Sequence, residues 1–250
     1  MTVLITMAGL GSRFAREGYT VPKYRIQAFG RTLFDWSMVS LADFFQERFV
    51  FCTLESEDPQ WILDAAHRLG IADARVFARP ALSRGQAETA FDALSEADVD
   101  SPLWIFNIDT YVAKGLLRQS MGAADGCVEV FRSTDPGMSF VRKNADGAVV
   151  EVAEKRPISD LATLGLYGFS SVDLFQRAYA ATYESGGATP AAGERYVAPM
   201  YQHLINRSLT LVAPEVRLED VHILGTPAQV REFDPAVAPP VGNGSTAGAP

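Results

Sequence analysis

Short apolar runs and longer amphipathic stretches alternate along the first hundred residues. Val3 to Met7, Phe49 to Thr53, Ala74 to Phe77 and Leu103 to Phe106 are rich in aliphatic and aromatic residues, and most are bounded by turn or polar residues, as buried strands are. Between them, Leu33 to Phe45, Pro59 to Leu69 and Gln86 to Leu94 place apolar residues at helical spacing, with proline early in the second. That alternation predicts a parallel sheet wrapped by helices. After Asp109 the rhythm changes. Cys127 to Phe131, Ser139 to Arg142, Ala148 to Ala153 and Leu164 to Phe169 arrive as consecutive strand-like pieces, with Asn144-Ala145-Asp146-Gly147 as a hairpin turn. Helices are expected at Val172 to Thr182 and Val197 to Asn206, then a strand at Leu209 to Val212 and a short helix from Pro227. Residues 234 to 250 are dense in Pro, Gly, Ala and Ser and read as a flexible tail outside a domain of residues 1 to 233.

Bulk properties narrow the classes of function. A chain of 250 residues, 48% of them hydrophobic, builds one substantial core, and one domain is the default. The net charge of -8 argues against a broad surface for nucleic acid or anionic lipid and leaves room for a local basic pocket. Cys52 and Cys127 lack metal-type spacing and accompany only three histidines, so neither a zinc site nor a disulfide framework is expected. The first apolar run has no basic leader before it, and no stretch approaches a membrane span. The expectation is a cytoplasmic protein without membrane or nucleic-acid partners; a homo-oligomer is left open.

The candidate chemistry begins where the first run ends. Ala8-Gly9-Leu10-Gly11-Ser12-Arg13-Phe14 follows the strand directly, and Pro22-Lys23 comes nine residues after Arg13. Two glycines let the backbone turn tightly and present bare N–H groups to an anion, while an arginine and a lysine add mobile positive charge, so the layout reads as a phosphate-handling loop. An ordinary strand-to-helix turn is the alternative. Asp109 follows the Leu103 to Phe106 run, at a strand's carboxyl end, where open parallel sheets gather their ligands. A carboxylate there is a natural magnesium ligand beside phosphates, or else a turn or capping aspartate. Glu154 and Lys155 are adjacent at a strand end, so they converge on one site only if the chain bends; otherwise they form an exposed surface pair.

Taken in order, the GLGSRF loop, Pro22-Lys23, Gly85-Gln86-Ala87, the Asp109 segment, the Glu154-Lys155-Arg156-Pro157-Ile158-Ser159 run, Gly165-Leu166-Tyr167-Gly168-Phe169 and Glu194-Arg195-Tyr196 resemble the sugar-1-phosphate nucleotidylyltransferases, over roughly residues 2 to 233. The resemblance implies a Rossmann-like α/β fold with a mostly parallel twisted sheet and a smaller acceptor-binding β region. It implies that Ala8, Gly9, Gly11, Ser12 and Arg13 wrap the phosphates of an NTP, that Lys23 contacts them, and that Gly85 and Gln86 line the base pocket. Asp109 matches the family's Mg2+ ligand, Glu154 its contact to sugar hydroxyls and Lys155 its contact to the acceptor phosphate. Ser139, Gly165 and Glu194 fall where the acceptor is held. The implied reaction joins an NTP to a sugar 1-phosphate with loss of pyrophosphate, for polysaccharide precursor synthesis, with Arg13, Lys23 and Lys155 as the catalytic cations.

Two departures accompany the match. Family members usually carry a second magnesium aspartate two residues before a Gly-Thr pair, and here Ile223 precedes Gly225-Thr226; either Asp220 or Glu219 reaches in from nearby, or one carboxylate and the substrate phosphates hold the ion. Pro80 stands where the base pocket expects a glutamine, which leaves the base open. The competing readings are a cytidylyltransferase for phosphocholine or another small phosphate ester, with Tyr167, Phe169, Tyr196 and Trp36 as an aromatic cage for a quaternary ammonium, and a non-catalytic nucleotide or sugar-phosphate sensor. A glycosyltransferase would want an Asp-x-Asp pair where Asn107-Ile108-Asp109 stands, and a Rossmann dehydrogenase a third small residue where Arg13 stands.

Overall fold

A computed structural model describes residues 1–94, 98–184 and 193–237. The elements run β1 (Thr2–Thr6), α1 (Ser12–Arg16), β2 (Gln27–Ala28), β3 (Arg31–Thr32), α2 (Leu33–Val39), β4 (Arg48–Leu54), α3 (Pro59–Leu69), β5 (Asp73–Arg79), α4 (Gln86–Asp92), β6 (Leu103–Asn107) and β7 (Thr110–Val112). Then follow β8 (Gly126–Arg132), β9 (Ser139–Lys143), β10 (Val149–Glu154), β11 (Leu161–Phe169), α5 (Val172–Tyr183), α6 (Ala198–Asn206), β12 (Leu211–Val212), β13 (Val221–Ile223) and α7 (Pro227–Phe233).

The main sheet has the order β10-β9-β11-β6-β1-β4-β5, with β8 also paired to β11 and β12 to β8. Strands β5, β4, β1 and β6 are parallel neighbours and form the predicted α/β core. The chain leaves β1 for β4 on one side and reaches β6 on the other, so the strand order reverses between β1 and β6, and the crevice above their carboxyl ends is where such sheets bind ligands. Antiparallel β11 continues the sheet from β6. Its first residues pair with β8 and β9 and its last with β6 and β8, and the register breaks between Thr163 and Tyr167. Gly165 lies in that break at φ +93°, a left-handed backbone that glycine adopts without steric cost.

Period-two alternation divides the core between the sheet's two faces. Val3 and Ile5 pack with Phe34, Phe51 and Ile62 on the α2 and α3 side, whereas Leu4 packs with Ala87, Phe175 and Met200 on the α4, α5 and α6 side. Helix α3 starts where its sequence says it should: Asp58 caps the N–H groups of Gln60 and Trp61, Pro59 takes the first position, and Gly70 at φ +93° ends it. The hairpin turn also forms as read, with the Asn144 side chain accepting from Asp146 and Ala148.

The predicted helix over Leu33 to Phe45 is instead two pieces, α2 and a single 3-10 turn at Ala42–Phe44. Ser40 sits at the break. Its hydroxyl donates back to the Trp36 carbonyl and accepts the Val112 N–H at 2.9 Å, giving the chain an alternative to the helical ladder. Helix α1, the β2–β3 hairpin and the β7–β13 pair have no counterpart in the sequence reading, because pieces of two to five residues show no measurable period. Of the expected tail, Asp234 is buried and accepts the Phe29 N–H at 2.5 Å, and Val237 packs against the small cluster around Phe14 and Leu224. Residues 238–250 lie outside the described residues. Both cysteines are free and buried, and no described helix is long and apolar enough to cross a membrane.

Glu129 on β8 is an anomaly in this core. It is fully buried; one carboxyl oxygen accepts the Arg118 N–H at 3.0 Å and the other has no partner among the described residues. Burial pushes its pKa up from 4.5 to about 7, against the opposing pull of Arg118. The native state therefore holds this proton more tightly than the unfolded chain, and stability falls as pH rises from 4.5 through 7. The whole penalty is on the order of 3 kcal/mol. Glu129→Gln is expected to raise Tm at pH 8, with the gain shrinking toward pH 5; thermal unfolding at the two pH values checks it.

Candidate active site

Two cavities open on the carboxyl ends of β1 and β6. The first, about 660 Å³, is walled by the loop after β1 (Ala8, Gly9), by Lys23, by the turn into α4 (Leu82 to Gln86) and by Gly193, Glu194 and Tyr196. The second, about 460 Å³, is walled by Arg13, Ser139, Glu154, Lys155, Gly165, Tyr167 and residues of β13 and α7. Gln86, Asn107, Asp109 and Tyr196 line both, which makes Asp109 the one carboxylate that the two cavities share.

The glycine loop leaves its backbone open on the first cavity. Met7 closes the strand ladder by donating to Cys52 at 2.9 Å, and among the described residues the next N–H in the loop that finds an acceptor is that of Phe14, to Gly11. Gly11, at φ +59°, makes the turn into α1, and a Cβ on Gly9 would meet no protein atom within 4 Å, so the space beside the loop is open. Gly11 and Ser12 line neither cavity; they shape the loop that Ala8, Gly9 and Arg13 present.

At the junction, the Lys23 ammonium donates to the Asp109 carboxylate at 2.8 Å. Burial raises the Asp109 pKa, but Lys23, a backbone N–H and the nearby Arg13 outweigh it and hold the carboxyl below its ordinary value. The Gly225 backbone closes on Asp109 from the other side: a Cβ there would lie 3.1 Å from its carboxylate. Asn107 accepts from the Gln86 amide and lies against Gly165, where a Cβ would come within 2.6 Å of the Asn107 amide nitrogen. Gly165 is thus needed twice, for its dihedral and for its missing side chain.

Glu154 and Lys155 do converge, because the chain bends between them. β10 ends at Glu154, and Lys155 takes φ +50° with its N–H on the Met138 carbonyl at 2.9 Å. Glu154 accepts from Ser139, and burial raises its pKa, opposed by that hydrogen bond and by Lys155. The Lys155 ammonium donates to the Tyr196 hydroxyl, which donates in turn to Glu194; the ammonium lies 3.9 Å from that carboxylate. A lysine at positive φ carries strain of about 1 kcal/mol, so Lys155→Gly is expected to unfold at higher denaturant than Lys155→Ala while both lose activity equally. Urea titrations of the two variants compare them.

Several expectations need correction. Glu194 lines the first cavity and meets the second only through Tyr196 and Lys155. The aromatic cage does not assemble: Phe169 is buried against Phe175 and Tyr201, and Trp36 packs on Tyr111 and Phe233, so only Tyr167 and Tyr196 reach the second cavity. Asp220 and Glu219 do not replace the absent aspartate. Both pair with Arg217, and the β13 register sets Ile223 beside Thr110 but Val221 beside Val112, which leaves Asp220 roughly 10 Å along the strand from Ile223. Asn107, Asp135 and Thr226 also line the second cavity without having been singled out; of these only Asn107, two residues before Asp109, carried a sequence signal.

Among the described residues no group of three or more His, Cys, Asp or Glu side chains could by itself hold a metal ion. Asp109 alone fits magnesium of the kind held by one carboxylate and completed by phosphates and water.

The fold is that of a nucleotidyltransferase. No family model and no curated protein matches the chain, but solved structures do. The nucleoside-diphosphate-sugar pyrophosphorylase from Vibrio cholerae RC9 is 32% identical, with a TM-score of 0.86 over 93% of this chain and 99% of that one. The inositol-1-phosphate CTP transferase from T. maritima, 16% identical with a TM-score of 0.73 over 93% of this chain and 97% of that one, shares the fold. The chain belongs to the nucleoside-diphosphate-sugar pyrophosphorylase family.

Proposed function

We propose that the first cavity binds an NTP and the second a sugar 1-phosphate, and that the enzyme joins them to a nucleotide-sugar and pyrophosphate, a precursor for polysaccharide synthesis. The observation that carries this reading is the Lys23–Asp109 pair at the junction of the two cavities, with Arg13 and Lys155 both lining the second. An oxygen of the acceptor phosphate attacks the α-phosphorus, and the bond from that phosphorus to the bridging oxygen of the departing pyrophosphate breaks. No protein nucleophile is needed. The obstacle is repulsion between polyanions, and Arg13, Lys23 and Lys155 lower it by offsetting charge and fixing the line of attack. Asp109 would hold Mg2+ together with the substrate phosphates, and the ion supplies charge neutralisation when bound. Glu154, held by Ser139, offers an acceptor to sugar hydroxyls.

The test is pyrophosphate release in magnesium, with each of five NTPs crossed against a panel of sugar 1-phosphates plus phosphocholine. Release with one NTP and one sugar 1-phosphate, lost on adding EDTA, supports the reading and names both substrates. Release with phosphocholine alone, or NTP binding without release across the panel, overturns it.

A further inference from the structure

Residues 193–197 carry Tyr196, which lines both cavities, and Gly193 and Glu194, which line the first, and the segment is held from behind by a side chain that lines neither cavity. Arg195 points away from both. It is mostly buried, donates to the Tyr179 hydroxyl, lies 3.7 Å from the Glu88 carboxylate and stands over the Tyr179 and Tyr183 rings at 5.3 and 5.5 Å. Tyr179 is itself fixed by stacking on Phe91 of α4 at 4.4 Å. The Arg195 backbone completes the attachment: its N–H donates to Arg84 at 2.6 Å and its carbonyl accepts from Ala87 at 2.9 Å. Tyr183 reaches the next residue, donating to the Tyr196 carbonyl. One residue on from this clamp, the Tyr196 hydroxyl accepts a hydrogen bond from the Lys155 ammonium and donates one to Glu194.

We propose that Arg195 is a positioning residue for the transfer reaction: by clamping residues 193–197 onto α4 and α5 it sets Tyr196, and through Tyr196 the position of the Lys155 ammonium. This rests on the reading of Lys155 as the contact to the acceptor phosphate. The physical basis is that a planar guanidinium makes a hydrogen bond, an ion pair and two ring contacts at once, and so fixes orientation where an ammonium or an apolar chain would not. Arg195 touches no substrate in this scheme; its effect is on where a catalytic charge stands.

Lysine acylation read by mass spectrometry tests the clamp without requiring turnover, because the chain has only four lysines and exposed Lys114 serves as the internal reference. In Arg195→Met, Lys155 is expected to react about threefold to tenfold faster than in the wild type, the worth of one hydrogen bond, with Lys114 unchanged. Tyr196→Phe should match it, and Arg195→Lys should fall between. In turnover, Arg195→Met should lower kcat/KM, and the double variant Arg195→Met/Lys155→Met should be no slower than Lys155→Met alone, since the two act through one ammonium. A purely structural role predicts additive losses and an unchanged Lys155 rate, and either result overturns the proposal. If Arg195→Met fails to fold, Tyr183→Phe, which loses only the bond to the Tyr196 carbonyl, takes its place with the same expectations. Failure of the functional reading would appear separately, as a wild-type protein that releases no pyrophosphate while the acylation pattern still judges the clamp.

Discussion

Lys23→Ala is expected to lower turnover roughly a hundredfold and to destabilise the protein as well, whereas Arg13→Ala should match it in turnover and leave stability nearly unchanged. The difference comes from where the two cations stand before substrate arrives. Arg13 is exposed, and its loss changes only the field at the site. Lys23 has a side chain only 19% exposed and pairs directly with Asp109, at 30%. Removing it strands a largely buried carboxylate whose desolvation Lys23 had offset. Loss of one partner in a fully buried pair costs about 3–5 kcal/mol, and the residual exposure here brings the expectation down to about 1–2 kcal/mol. Kinetics at saturating substrate together with urea denaturation check both halves. A Lys23→Ala protein as stable as the wild type would show that Asp109 is solvated independently of the lysine.

Gly85→Ala should be the most damaging change of a single methyl group. Gly85 takes φ +142°, and a Cβ would lie 2.5 Å from the Arg195 carbonyl oxygen and 2.8 Å from its nitrogen. Both are backbone atoms, already engaged with Ala87 and Arg84, so no side chain can swing aside. The methyl must push residues 193–197 off α4, breaking two backbone hydrogen bonds and displacing Tyr196 and Glu194 from the wall between the cavities. Two broken bonds plus strain at positive φ amount to roughly 3 kcal/mol or more of stability. Because the moved wall serves both cavities, KM should rise for the NTP and the acceptor together and kcat/KM should fall more than about a hundredfold. Gly9→Ala is the control: a Cβ there meets no protein atom, so the fold should tolerate it, and any loss of activity reports crowding of the bound phosphates.

How much of this was legible without coordinates differs by kind of residue. The β1, β4, β5, β6 core and helices α2 through α6 announce themselves because each buries a periodic face, and α3 even prints its own ends through Asp58, Pro59 and Gly70. The residues around Ala8 to Arg13 and Asp109 were found because they follow buried strands, and a parallel sheet brings such ends to one edge whatever the loops contain. Long-range contacts leave no such mark. That Lys23 spends its charge on Asp109 and that Arg195 braces the wall from behind depends on residues 86 positions apart in one case and on three separate elements in the other.

Chain order and residue type by themselves determined the fold class, the positions of most elements, and which cations and carboxylates are candidates for phosphate chemistry. Only the tertiary structure decided which of them share a cavity. It turned Lys155 back beside Glu154 through a left-handed backbone, sent Asp220 and Glu219 to Arg217 and away from the site, and scattered the four aromatics into three environments. The reason is physical: local sequence sets propensity and period, but side-chain convergence is set by register and by close backbone approaches such as Gly85 on Arg195 and Gly165 on Asn107, and these exist only once distant segments have packed.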